Sequence, residues 1–327
     1  MIAPLPLSIR KCLSRVSFGV KVLDNWSIGD DSSHMDRRRL QNERHILPTH
    51  EKIELVRRAV ASGIRRLEVA SFVNPERVPQ MADGEAVLSG LERRSDVTYI
   101  GLALNFRGAQ RAISSGVDEV GLVCPASDTF GRRNQGQTVE SGIDMAVNAF
   151  ALVHGAGVKA QATIAVAFGC PFEGRVDPSR VVAMARQLAG AGACEIAIAD
   201  TIGIATPFEV ADLVKSVRSA IAPTPVRVHF HNTRGMGVAN AYAAVQAGAV
   251  VVDASIGGTG GCPFAPGAAG NVATEEIAFA FNDHLGLDIP AILEAAKWLD
   301  RLLDRRQPTA LMRSAAGTDA GAEFITR

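Results

Sequence analysis

Glu195-Ile196-Ala197-Ile198-Ala199-Asp200, then Thr206-Pro207, then Arg227-Val228-His229-Phe230-His231-Asn232: this stretch decides the fold. Both apolar runs are short and end in polar residues, as expected of parallel strands buried on both faces. Between them Thr206 offers a capping oxygen, and Pro207 suits a first helical position that needs no N–H. Val210, Leu213, Val214 and Val217 then recur at helical spacing. The stretch therefore reads as a β/α/β unit with a right-handed crossover.

The same grammar extends in both directions. Further strand candidates are Arg66–Phe72, Val97–Leu104, Glu119–Cys124, Ala160–Phe168 and Val250–Ser255. Asp177-Pro178 repeats the cap-and-proline start, and Ile53, Val56 and Val60 mark another buried stripe. Gly63, Gly116, Gly157, Gly192 and Gly248 each fall after a helix and before a strand, where a left-handed C-cap is wanted. Seven such units, with one more strand at the front, would make an eight-stranded α/β structure, a (β/α)8 TIM barrel. The alternative is a doubly wound open sheet. Glu68, Asn105, Asp200, His229 and His231 stand at carboxyl strand ends along the whole chain. A barrel gathers those ends into one ring and an open sheet spreads them, so the barrel is favoured.

The ends of the chain depart from this pattern. Asp30 to Arg39 holds one apolar residue in ten and cannot be a barrel strand; the only strand-like run upstream is Val16–Leu23. Residues 1–39 are expected to be an irregular N-terminal segment, 40–305 the barrel with C-terminal helices, and 306–327 a loose tail. Residues 1–23 carry Arg10, Lys11, Arg15 and Lys21 and no acidic residue, which resembles an organelle transit peptide.

Composition limits the function. The 34 basic and 34 acidic residues cancel, so no global field favours nucleic acid or an anionic membrane. No apolar run reaches the length of a membrane span. Five cysteines without CxxC spacing argue against a disulfide scaffold or zinc ribbon and suit a reducing compartment. The expected location is cytoplasmic, or the mitochondrial matrix if residues 1–23 are a transit peptide.

The chemistry concentrates in the last third. His229 and His231, at i and i+2 on a strand, share a face and could ligate a divalent metal; the pair alone does not name the ion. Cys262 sits in Gly257-Gly258-Thr259-Gly260-Gly261-Cys262-Pro263, where a packed core residue is not expected and an acid/base or nucleophilic thiol is. Cys170, in Gly169-Cys170-Pro171, reads equally as structural or functional, and Cys124 and Cys194 read as core. Asn271 opens the helical pattern Val272–Phe281 and could be an N-cap. Glu68 and Asp200 lie in apolar strands, where a carboxylate needs a partner: a barrel arginine or a metal-bound group.

Taken together these residues resemble the hydroxymethylglutaryl-CoA lyase family among the TIM-barrel metallolyases. The likeness runs from Leu40 to Leu299. It is carried by Gly257–Phe264 with Gly267-Ala268, Gly270-Asn271 and Thr274-Glu275, by Leu40-Gln41-Asn42-Glu43, Glu68–Val73, Pro79-Gln80-Met81, Gly169–Gly174 and Ala199–Gly203. The glycine-rich loop is similar to the lyase branch and unlike the related synthases. The resemblance implies retro-Claisen cleavage of a 3-hydroxy-acyl-CoA thioester, giving acetyl-CoA and acetoacetate in the parent activity. It implies Mg or Mn held by His229, His231 and Asn271. It further implies acid/base work by His229 and Cys262, enolate stabilisation by Arg37, and a catalytic carboxylate at Glu68. Gln41, Ser71, Asn105, Asp200 and Thr201 are the implied substrate-binding residues, and a homodimer the implied assembly. The family's Arg-Asp-Gly-Leu-Gln at the end of its first strand reads Arg37-Arg38-Arg39-Leu40-Gln41 here, so an arginine stands where the family has a ligand aspartate. After the histidines, Asn232 and Arg234 replace the family's common Asp and Tyr. A condensing or aldolase-type enzyme, or an impaired acyl-CoA-binding barrel, are the alternative readings.

Overall fold

A computed structural model describes residues 17–21, 46–76, 78–260, 270–281, 285–305 and 308–315. The barrel strands are β1 (Ser17–Lys21), β2 (Arg66–Ser71), β3 (Thr98–Ala103), β4 (Glu119–Pro125), β5 (Lys159–Ala165), β6 (Ile196–Asp200), β7 (Val226–Phe230) and β8 (Val251–Ser255). Every barrel pairing is parallel, and the order closes on itself, because β1 joins both β8 and β2. The β1–β2 seam is short, resting on Val20 opposite Leu67 and Lys21 opposite Glu68. The seven expected strands are all present, and the eighth is the Val16–Leu23 run.

That strand corrects the expected boundary at residue 39. Part of the N-terminal segment belongs to the barrel, because β8 and β2 would otherwise present unpaired edges that Ser17–Lys21 satisfies. The strand ends at Lys21; Arg37, Arg38, Arg39 and Gln41 lie outside the described residues.

Local signals account for the helices. The side chain of Asp177 caps Pro178–Gly190, and Thr206 and Glu209 form a reciprocal capping box on Pro207–Ile221. The latter helix buries Val210, Leu213, Val214 and Val217. All five proposed C-cap glycines have positive φ. In Thr49–Ala61 the buried face is Lys52, Leu55, Val56 and Ala59. Ile53 and Val60 are only half-buried, and the Lys52 ammonium turns inward to Asp83 and the Gln80 carbonyl.

The expected loose tail also needs correction. Ala310–Ala315 is helical, with Leu311 and Met312 buried, and Thr309 Oγ1 donates to the buried Glu275 at 2.8 Å. Among the described residues no helix is long and apolar enough to cross a membrane.

The barrel interior holds an ionic network. Arg66 on β2 reaches Glu119 on β4 at 2.7 Å and Glu195, just ahead of β6, at 2.9 Å. β2 and β6 are not neighbours, so this bridge crosses the lumen. Gln161 donates to Glu119 at 2.9 Å, and Arg227 meets Glu195 at 3.2 Å. Buried charges are tolerated only when paired and hydrogen-bonded, and each here has more than one partner.

Candidate active site

β7 delivers the two histidines. His229 is its penultimate residue and His231 follows its end; both are buried, and their ring centroids lie 5.3 Å apart, edge to face. The His231 N–H donates to the Asp200 carbonyl at 3.2 Å, tying the mouth of β7 to that of β6.

Asn271 reaches this pair through backbone pairing. It forms an isolated antiparallel bridge with His231, while Ala273 bridges Ser255 at the end of β8. Asn232 N–H donates to Gly270 O at 2.8 Å and Val272 N–H to Phe230 O at 3.0 Å. The expectation that Asn271 opens a helix is therefore corrected: the helix is Thr274–Ala280, and Asn271 lies in the extended stretch before it. Its Nδ2 donates to Thr259 O at 2.8 Å.

The glycine-rich loop is pinched at its stem. Asn271 N–H donates to Gly260 O at 3.2 Å, and a Cβ on Gly270 would stand 1.9 Å from that oxygen. Only glycine permits this approach. Cys262 lies two residues beyond Gly260, outside the described residues.

Glu68 is buried on β2, beside an irregularity between Glu68 and Ala70 that re-aims the strand. Ser71, buried, ends the same strand. Three other expected substrate contacts carry scaffold duties. Both Asp200 oxygens accept backbone N–H groups, from Ile204 at 3.0 Å and Ala205 at 2.9 Å, shaping the turn after β6. Burial pushes the Asp200 carboxyl up, against the pull of those bonds. Thr201 Oγ1 accepts from Val166 N–H at 2.8 Å, holding a β-branched residue at φ +50°, a costly conformation. Asn105 caps Phe106–Ser114 by accepting from Gly108 N–H at 2.8 Å.

Of the cysteines, Cys124 is core, its thiol pushed up to about 12 by burial. Cys170 is buried and accepts from Ser127 Oγ at 2.9 Å. Cys194, expected in the core, is exposed, because it precedes β6 at the amino end of the barrel.

A cleft of about 880 Å³ adjoins Asn271 and is bounded by Asn232, Gly258, Ala273, Thr309 and Arg313. The C-terminal helix, read from sequence as tail, is one of its walls. Glu275, in sequence only one member of the Thr274-Glu275 motif, has a definite place in the fold. It is fully buried, accepts from Gly257 N–H at 3.1 Å, and its pKa is raised to about 7 by desolvation. Asp253, buried in the apolar run Val250–Ser255, is a further polar residue of this face, and a lone carboxylate in such a run is the sequence signal that finds it.

Among the described residues no three His, Cys, Asp or Glu gather as a metal site. Two imidazoles and an amide do gather, and these donors suit a divalent ion such as Mn. Fold and site thus define a TIM-barrel enzyme with a metal-suited carboxyl face and a pinched glycine loop beside it.

Comparisons with known proteins sharpen this class. The HMGL-like family profile matches residues 37–298. Mitochondrial hydroxymethylglutaryl-CoA lyase of Mus musculus is 36% identical over 270 residues, covering 82% of this chain and 83% of that protein. The (R)-citramalyl-CoA lyase of Chloroflexus aurantiacus is 40% identical over 284 residues, covering 82% and 89%. The structure of an HMG-CoA lyase from Acinetobacter baumannii, in complex with coenzyme A and 3-methylmalate, superposes with TM-score 0.83 at 33% identity, over 94% of this chain and 97% of that one. The chain belongs to the HMGL-like family, the carbon–carbon lyases of the hydroxymethylglutaryl-CoA lyase type.

Proposed function

We propose that this protein cleaves a 3-hydroxy-3-methylglutaryl-CoA-like thioester to acetyl-CoA and a keto acid, using Mg or Mn. The observation that carries the reading is the meeting of His229, His231 and Asn271 under the stem of the loop that bears Cys262.

His229, His231 and Asn271 would hold the ion. Bound there, it would polarise the substrate's hydroxyl and acyl oxygens. His229 takes the proton from the C3 hydroxyl on its one lone pair, at that step in place of ligating the ion, the carbon–carbon bond breaks, and the electron pair of that bond passes into the thioester as an enolate. Arg37 balances that charge. Cys262 returns a proton to the α-carbon, releasing the acetyl thioester. Glu68, three strands round the barrel from His229, is the catalytic carboxylate of the opposite wall. Ser71 and Gln41 bind substrate; Asp200, Thr201 and Asn105 serve it by shaping the mouth.

The acyl group is the open variable. Arg234 stands exposed at the mouth, its Nη1 fixed by Ile202 O at 3.1 Å and Gly203 O at 2.9 Å. A cation so placed favours an acyl chain ending in a carboxylate. The 40% identity to a citramalyl-CoA lyase supports a shorter dicarboxylic acyl group as the second reading. Buried free Cys124 and Cys170 suit a reducing compartment, and we place the chain in the cytoplasm.

The test is release of acetyl-CoA from hydroxymethylglutaryl-CoA and citramalyl-CoA, with Mg, with Mn and with chelator. Cleavage that needs metal supports the reading. No cleavage of either thioester, with coenzyme A esters still bound, would identify a binding barrel instead.

A further inference from the structure

His229 and Asp253 face each other across the β7–β8 seam. They are register partners on adjacent parallel strands and both are buried. Nδ1 of His229 lies 3.6 Å from one carboxylate oxygen of Asp253, and the other oxygen lies 3.6 Å from Arg227. Arg227 continues to Glu195 at 3.2 Å and donates to Thr163 Oγ1 at 2.9 Å. The ionic network of the barrel floor thus climbs to the candidate metal ligand.

The chemistry of this contact is directional. A buried carboxylate needs compensating charge, and Arg227 supplies it. An ionised carboxylate only accepts hydrogen bonds, so the imidazole nitrogen facing it is stabilised when it carries the proton. A separation of 3.6 Å exceeds a hydrogen bond, but catalytic contacts are often long before substrate or ligand tightens them. A neutral imidazole has one N–H. With that proton on Nδ1, the lone pair is on Nε2.

We infer that Asp253 is a positioning residue that holds His229 as the Nδ1–H tautomer and leaves Nε2 to meet the cation or the substrate's hydroxyl proton. Metal-bound histidines commonly owe their orientation to such a second partner. The inference rests on the role proposed for His229, and its test is separable from that role.

The full-length chain, with chelator and [15N]histidine, is observed by NMR at a pH where imidazoles are neutral. The His229 signals are identified by their loss in His229→Gln. The parent should show Nδ1–H for His229, against the Nε2–H form that histidine favours in water. Asp253→Asn, which keeps an acceptor oxygen, should retain that tautomer. Asp253→Leu should shift it towards Nε2–H and weaken Mn binding, measured by calorimetry, about ten- to a hundredfold. A purely structural Asp253, needed only to balance Arg227, would lower the stability of both variants and leave the tautomer unmoved, which overturns the inference. A parent that shows Nε2–H overturns it even if Asp253→Leu does not fold. A parent with Nδ1–H and the expected Mn response but no thioester cleavage would refute the proposed reaction and support the positioning role.

Discussion

Asn271 donates its side-chain Nδ2 to the Thr259 carbonyl at 2.8 Å, which fixes the amide's direction and sets its oxygen on the other side. That one bond makes the residue an oxygen donor beside His231, its bridge partner. It also ties the stem of the glycine-rich segment to the candidate metal ligands.

His231→Ala should therefore raise the Mn dissociation constant at least about tenfold, roughly 1.4 kcal/mol. The fold should persist, because the barrel is held below this level by the strand ladder. Titration calorimetry and a thermal melt decide it together. Unchanged affinity with a large fall in melting temperature would make His231 a structural residue.

Cys262→Ser should reduce turnover by about a hundredfold or more with substrate binding nearly intact, the usual scale of a general acid–base contribution. Bound substrate should also slow alkylation of the thiol in the parent. A fully active serine variant would remove Cys262 from the reaction.

Arg38 stands where the family carries a ligand aspartate. A unit charge pair at about 4 Å and an effective dielectric near 20 interacts by about 4 kcal/mol, and a divalent ion doubles the repulsion. The chain should accordingly be a slow lyase, and Arg38→Asp with Arg39→Gly should raise both Mn affinity and cleavage rate. A parent already fast, and unmoved by the double change, would show that another residue fills this place.

Glu275 gives a pH signature. Its folded pKa, raised to about 7 by burial, exceeds the unfolded value of 4.5, so the folded state binds more protons between the two. Stability should fall as pH rises from about 4.5 to about 7, then level off. Glu275→Gln should remove that slope in chemical denaturation, while still accepting from Gly257 N–H. A slope of the same size in the variant would assign it to other groups.

Most of the barrel was legible because its signals are local. Alternating apolar runs, capping residues before Pro178 and Pro207, and the glycines after helices are read within a few residues, and the physics that forms each element acts over the same range. The His229–His231 pair was legible for the same reason: period two puts i and i+2 on one face. The run Val16–Leu23 was legible as strand-like, but its place in the barrel was not, because that place is set by hydrogen bonds of Ser17–Lys21 to β8 and β2, most of whose partners lie far along the chain.

Only the tertiary structure decided what the site is made of. Sequence placed Asn271 at the start of a helix; backbone bonds to Phe230, Asn232 and Gly260 made it a neighbour of His231. From sequence, Asp200 calls for an arginine or a metal-bound group and Thr201 is an implied substrate contact; in the fold, backbone N–H groups of the turn after β6 and the end of β5 take their oxygens. Asp253 was an isolated acid in an apolar run until closure of the barrel set it between Arg227 and His229. The strands β2 to β8 follow from their own apolar runs. The company each polar side chain keeps follows from closure, because a buried charge takes as partner whichever residue the barrel brings within reach, however distant in sequence.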